Sequence, residues 1–283
     1  MNVFFKKNYF FQILRSDNLK TRAALHGESR EVTYIGPIHA IPHLTSRYYP
    51  PFCKFDWRFV MEKMAFFTMQ KAGEAAPKFI ITNAEIWLPR ISVSPAVSIA
   101  HSNLLNSKNM LFPTKYMETR SIDVPAGSFN CKFPNIFSGG KMPQRLFAVM
   151  LDSEAKTGSL QKSPYVFYHC NIADIRCLSG SKVVPSISYK LLPEKFQTEA
   201  LMANTLTTLK NAKGDVPTLL NRNTHTTGMF LMGFELTRDQ NPAAEYQNSQ
   251  LDSINIGLEI NFHSALESNM TLMVIGEFLG TNI

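Results

Sequence analysis

The chain has 283 residues, 45% hydrophobic and 18% charged, which excludes a disordered chain and allows one or two domains with a sizeable core. Its formal charge of +7 is uneven: residues 1–78 hold 12 Lys+Arg against 6 Asp+Glu, net +6, and residues 79–283 hold 17 against 16, net +1. No apolar run approaches the length of a membrane span.

Met1 to Phe11 is apolar, but Lys6 and Lys7 interrupt it and no small-residue cleavage site follows, so a secreted route is not expected. The basic balance of residues 1–78 allows weak nucleic-acid contact. No aromatic-and-basic RNA motif, zinc-finger spacing or basic helix accompanies it, and a solvated terminal region is the plainer reading. Gly36-Pro37, Pro42 and Pro50-Pro51 are turn formers. Trp57 to Met69 is densely apolar and reads as one strand or a short helix. Gly73 to Pro77 is a small-residue linker.

Beyond the linker the pattern sharpens. Ile80, Thr82, Ala84, Ile86 and Leu88 alternate with more polar neighbours, predicting a half-buried strand. Ser94-Pro95 predicts a helix start, Ser as N-cap and Pro at the first position, with Val97, Ala100, Leu104 and Leu105 on one face and an end over 106–109. Arg145 to Leu151 has the continuous apolarity of a strand buried on both faces. Tyr165 to Ile172 and Ile175 to Leu178 follow as strands, and Ser179-Gly180 predicts a tight turn into Lys182-Val183-Val184. A second helix is expected from Pro193 to Asn211, with Gly214 as its stop. Met229 to Leu236 is a further strand. Ile254 to Phe262 and Met270 to Phe278 alternate cleanly and are expected to pair with each other.

From residue 79 onward this makes about eight strands, with helices missing from the places that parallel βαβ units would need. The fold class expected is mostly β, an antiparallel jelly-roll sandwich with two short helices in long connections, plus an N-terminal remnant of a second jelly roll. Phe, at 21 copies, suits that reading.

Gly139-Gly140-Lys141 lacks the spacing of a phosphate loop and reads as a turn. Neither a Gly-x-Ser-x-Gly elbow nor His-Glu-x-x-His occurs. His169, Cys170 and Cys177 form the one local group of metal-capable residues, at a spacing that matches no zinc module. With Cys53 and Cys131 they make four cysteines, too few and irregular for a disulfide framework and suited to a reducing compartment. His101 reads as a packed or capping histidine, Asp152 and Glu154 as a solvated turn. Asn269-Met270-Thr271 is a formal glycosylation triplet that matters only in a secreted protein. No catalytic, cofactor-binding or metal-ligating residue is assigned; no enzyme activity, cofactor or small-molecule substrate is expected.

A succession of motifs gives a further lead. Asn83-Ala-Glu-Ile-Trp-Leu-Pro-Arg-Ile-Ser-Val-Ser-Pro95 is followed by Ala100-His101, Lys115-Tyr116 and Phe137-Ser-Gly-Gly-Lys-Met-Pro-Gln-Arg145. Then come Leu146 to Leu151, Gly158, Lys162-Ser-Pro-Tyr-Val-Phe167 and Met229-Phe-Leu-Met-Gly-Phe-Glu-Leu236. In that order they resemble the capsid proteins of Polinton-like and adinto-like double-stranded DNA viruses and related uncharacterised invertebrate-genome proteins. The resemblance implies a hexon-like, double jelly-roll capsid protein that forms homotrimers of pseudo-hexagonal outline. It further implies neighbouring capsomers and a penton-like capsid protein as partners, with no membrane partner. Localisation would be the virion, assembled in the host nucleus or cytoplasm. Against that family, 283 residues hold one complete jelly roll, assigned to 79–283. Residues 1–78 are then an N-terminal arm and partial first jelly roll, with 52–72 as its last strand, as in a truncated or host-integrated copy. Two rival readings stand beside it. One is a β-sandwich ligand- or carbohydrate-binding module using Trp87, Tyr165 and Tyr168. The other is an enzyme with metal at scattered His and Asp residues.

Overall fold

The computed structural model describes residues 31–36, 38, 48–50, 53–69, 73, 78–110, 112–137, 142–179, 182–213, 220–237 and 255–282. Among the described residues, eight strands carry the fold: β1 (Phe112–Val124), β2 (Asn130–Phe137), β3 (Arg145–Asp152), β4 (Ile172–Ser179), β5 (Lys182–Lys190), β6 (Leu231–Glu235), β7 (Ile256–Phe262) and β8 (Met270–Asn282). They form two four-stranded antiparallel sheets, ordered β1-β8-β3-β6 and β2-β7-β4-β5.

The pairing has a simple rule. β1 pairs with β8, β2 with β7, β3 with β6 and β4 with β5. The chain is thus a long antiparallel ribbon, closed at its tip by the β4–β5 hairpin and folded over so that alternate pairs fall in opposite sheets. The added contacts β3–β8 and β4–β7 knit each sheet together. This is the winding of a jelly roll.

Strand alternation explains how the layers seal. Leu146, Ala148 and Met150 of β3 point between the sheets and join Leu258, Ile260, Leu272, Val274, Met232 and Phe234 in one cluster. The opposite side of β3 is buried as well, at Arg145, Phe147, Val149 and Leu151, so the strand has the burial expected of its apolar run. Glycine permits the tightest approaches. A Cβ on Gly257 of β7 would collide with the Phe133 carbonyl, where Pro134 bulges β2 and shifts the register between Phe133 and Phe137.

Among the described residues there are four helices: α1 (Pro95–Leu105) ahead of β1, and α2 (Ser153–Thr157), α3 (Glu199–Lys213) and α4 (Arg222–Thr226) in the connections between strands. α1 begins as expected, with Ser94 as N-cap and Pro95 first, although the Ser94 side chain makes no capping bond. α3 starts later than Pro193. Residues Pro193–Lys195 form a 3-10 turn, Phe196 turns left-handed at φ 57°, and the helix restarts at Glu199.

Other expectations are corrected. Residues 80–88 form no strand; Ile86 makes a single bridge, and Ile80 and Leu88 stay exposed, because both sheets are complete without them. Residues 53–69 are irregular around a 3-10 turn at Met64–Phe66, so no strand of a first jelly roll occurs among them. Tyr165 to Asn171 is a loop with one parallel bridge, Phe167 to Met229, because Cys170 and Asn171 both adopt positive φ and break the extension. β7 and β8 do not pair with each other. The loop 263–269 carries the chain from one sheet to the other, and the two alternating patterns face each other across the core. Gly139-Gly140-Lys141 lies outside the described residues.

Candidate functional site

The outer face of the β1-β8-β3-β6 sheet carries a row of charges. Arg145 of β3 stands directly opposite Glu235 of β6 and Glu277 of β8 in register. Its Nε donates to Glu235 Oε2 at 2.8 Å and its Nη1 to Glu277 Oε1 at 2.6 Å. Lys115 of β1 extends the row to Glu277 at 3.5 Å, and Thr237 Oγ1 donates to the other Glu235 oxygen at 2.6 Å. All four strands are thereby tied at one level, with two positive and two negative groups. The two glutamates and the arginine are at most 3% exposed. In the sequence, Arg145 stands at the start of an apolar run. The available signal was a charge inside that run, with Glu235 and Glu277 inside two other apolar strands.

The outer face of the second sheet is wetter. Glu259 of β7 lies between Lys132 of β2 and Arg176 of β4, at 3.5 Å and 2.6 Å. The hydrogen bond from Arg176 holds the Glu259 carboxyl below the usual range, against an opposing push from burial. Beside this triad is a depression of about 340 Å³ lined by Lys132, Asn135, Arg176, Val183, Asn255 and Glu259.

The residues singled out from sequence are dispersed. Cys177 lies in the core and Cys170 in the loop before β4, and burial pushes both thiols up to about 12. His169 accepts the Asn171 amide on Nδ1 at 3.0 Å, and burial lowers its pKa. Among the described residues, no group of three His, Cys, Asp or Glu side chains could hold a metal ion. His101 stands exposed on α1, which corrects its reading as a packed or capping residue.

Asp152 caps α2 by accepting the Glu154 amide at 2.8 Å, and Lys162 bridges Asp152 and Glu154 at 2.8 Å each. Burial pushes the Asp152 carboxyl up, but the Lys162 and backbone bonds outweigh it and leave the pKa lowered. In the formal glycosylation triplet, Asn269 Oδ1 accepts the Ala126 amide at 2.9 Å, while Thr271 is buried and donates to Asp123. Both are structural positions. Trp87 lies on the extended run before α1, and Tyr165 and Tyr168 lie in the loop between α2 and β4.

Sheet edges are the remaining surface of interest. At β6 the edge is closed by α3: Thr205 Oγ1 accepts the Gly233 amide at 2.9 Å and Asn204 Nδ2 donates to the Gly233 carbonyl. The helix lies so close that a Cβ on Gly233 would sit 2.9 Å from the Thr205 Cα. β2 and β5 are edges interrupted by Pro134 and Pro185. β1 is the long one, 13 residues with proline only at its second position.

No family model matches the chain, and no curated protein matches it. Among solved structures it is similar to the protein described as "Crystal structure of PBCV-1 VP54 fitted into a cryo-EM reconstruction of the virophage Sputnik", at 6% identity and a TM-score of 0.36. That likeness covers 65% of this chain and about half, 54%, of the other. Among the described residues, no helix is long and apolar enough to cross a membrane.

Proposed function

We propose that this chain is a structural viral capsid protein that self-associates into trimeric, capsomer-like assemblies and resides in the virion. The observation that carries this reading is the nested strand pairing, β1–β8 through β4–β5 in two sheets, which is an architecture used by capsid shells. The ordered motifs between residues 79 and 236, with their resemblance to Polinton-like and adinto-like capsid proteins, support it from the sequence side. Residues 79–283 are taken as the jelly-roll unit, since every strand among the described residues falls within them, and residues 1–78 as an arm with part of another jelly roll. Neighbouring capsomers and a penton-like capsid protein are the partners this role requires.

Fold alone does not dictate function, and jelly rolls also serve as binding modules. The polar depression beside Lys132, Arg176 and Glu259 favours that second reading, with a small polar or carbohydrate ligand. Negative-stain microscopy of the purified full chain separates the two. Three-lobed or pseudo-hexagonal particles are expected of a capsid protein. Isolated single-chain particles, combined with saturable binding in a glycan screen, would favour the binding module.

A further inference from the structure

The four sheet edges are not equally open to another strand. α3 closes the edge at β6, and Pro134 and Pro185 interrupt those at β2 and β5. β1 pairs only with β8, and among the described residues no other backbone group is bonded to residues 117–123. Met117, Thr119, Arg120, Ser121 and Asp123 are exposed, on both faces of the strand. Near the start of β1, Tyr49 stacks on Phe112 with ring centroids 4.4 Å apart, so the open stretch is 115–123. A row of unpaired N–H and C=O groups of this length is a template for a further strand.

The charges along this stretch say which strand fits. β1 carries four charged residues, Lys115, Glu118, Arg120 and Asp123. They are placed symmetrically about Thr119, and each lies as far from it as a residue of opposite sign. An antiparallel neighbour reads the chain in reverse, and residues facing each other must lie on the same face of the sheet. If a second β1 is centred on 118 or 120, Glu118 or Arg120 stands opposite itself. Centred on 117 or 121, no charge of the stretch meets another. Centred on 119, all four meet their opposites: Lys115 with Asp123, and Glu118 with Arg120. Each side chain is already held on its face by a partner in its own chain. Arg120 and Glu118 are 3.3 Å apart, Lys115 is 3.5 Å from Glu277, and Asp123 is 3.5 Å from Lys156.

We propose that the β1 edges of two copies pair antiparallel about a two-fold axis at Thr119, with Lys115 opposite Asp123 and Glu118 opposite Arg120 of the second copy. The pairing joins the four-stranded sheet of each copy into one continuous sheet. Residues 115–123 span about 30 Å of ladder. Main-chain bonds supply the affinity. The charges choose the register, since opposite signs across a ladder stabilise it and like signs destabilise it. A second copy is the occupant because the pattern is complementary to its own reverse. The inference rests on the self-association proposed above and deepens it: a two-fold contact cannot close a ring of three, so it links chains of different trimers.

Charge reversal at the two exposed central positions tests the contact by light scattering. Glu118→Lys and Arg120→Glu each place like charges across the two-fold, and each is expected to raise the concentration at which species above three chains form by about tenfold or more. An equimolar mixture of the two chains, or one chain carrying both substitutions, restores opposite signs and is expected to recover the larger species. Oxidative trapping checks the register on a Cys53→Ser background. Cys131 and Cys177 are buried and burial pushes the Cys170 thiol up to about 12, so the introduced thiols react first. Thr119→Cys chains are expected to cross-link between copies faster than Ile187→Cys chains, whose thiol sits on β5 at a position 79% exposed. Equal rates, or larger species that survive either charge reversal unchanged, would overturn the inference. A wild-type mass that stops at three chains overturns it as well and leaves the capsid reading standing. A mass of two chains keeps the contact and removes the trimer, and a mass of one chain at every concentration removes both.

Discussion

At the scale of single residues, Arg145 is the position on which the most depends. Its guanidinium is 2% exposed and is shared between two buried carboxylates on the flanking strands. Removing the cation leaves Glu235 and Glu277 with uncompensated buried charge, which typically costs about 3–5 kcal/mol. Arg145→Met is therefore expected to lower the unfolding free energy by about that amount in urea titration. Arg145→Met combined with Glu235→Gln and Glu277→Gln is expected to recover much of the loss, because the charges go together.

His225 is a second sensitive residue. Its Nε2 faces the Leu231 carbonyl at 3.0 Å and so carries the proton, which leaves Nδ1 to accept from Thr198 Oγ1 at 3.0 Å. Burial lowers its pKa, as it does for His169. The folded state thus binds protons less readily than the unfolded one, whose imidazoles titrate at about 6.5. Stability is full above that value and falls as the pH drops below it. The lowered carboxylates Asp152 and Glu259 act in the same direction but at lower pH, as the pH falls below about 4. Chemical denaturation at pH 7.5 and 5.5 should show lower stability at the acid value; equal stability would contradict the buried, neutral histidines.

At the scale of elements, the contact between α3 and β6 decides whether one sheet edge is open or closed. Thr205 Oγ1 accepts the Gly233 amide and donates toward the Leu201 and Leu231 carbonyls, all within a buried site. Thr205→Val keeps the volume and removes the acceptor, leaving a buried N–H unsatisfied at a cost of about 1–3 kcal/mol. Thr205→Ser retains the hydroxyl and should lie much closer to the parent in thermal denaturation. An exposed edge is also a site of unwanted strand pairing, so the valine variant is expected to aggregate sooner on heating.

The elements most legible in the sequence are β3 and β6, as apolar runs, β7 and β8, with clean period-two alternation, and the start of α1, marked by Ser94-Pro95. β1 and β2 were not recognised. Lys115, Glu118, Arg120 and Asp123 break the apolar pattern of β1, whose core contacts come from Tyr116, Ile122 and Val124. Pro134 has the same effect in β2. Conversely, residues 80–88 alternate as a strand does but join neither sheet of the described residues. The β7–β8 pairing went wrong because period-two alternation fixes which side chains face the core and leaves open which sheet a strand joins. The Arg145 row was hidden for a related reason. Its partners lie 90 and 132 residues away, and only the folded register sets them side by side.

At the scale of the whole molecule, a closed core is combined with an open periphery. The jelly roll buries its own apolar cluster, its charges are arranged in cross-strand rows, and α3 seals one edge. Among the described residues, none of the side chains of α1 is buried, and β1 pairs only with β8. A soluble single-chain binding module has little use for such surface, whereas a shell protein needs contacts that are completed only by its neighbours. The depression beside Glu259 is small and already spanned by ion pairs, so it weighs less than α1 and the edge of β1.

The most direct test of this account is the light-scattering mass of the purified full chain across a range of concentrations. The account predicts a mass of three chains, persisting on dilution into the low micromolar range, with larger species at high concentration. A mass of one chain throughout would contradict it.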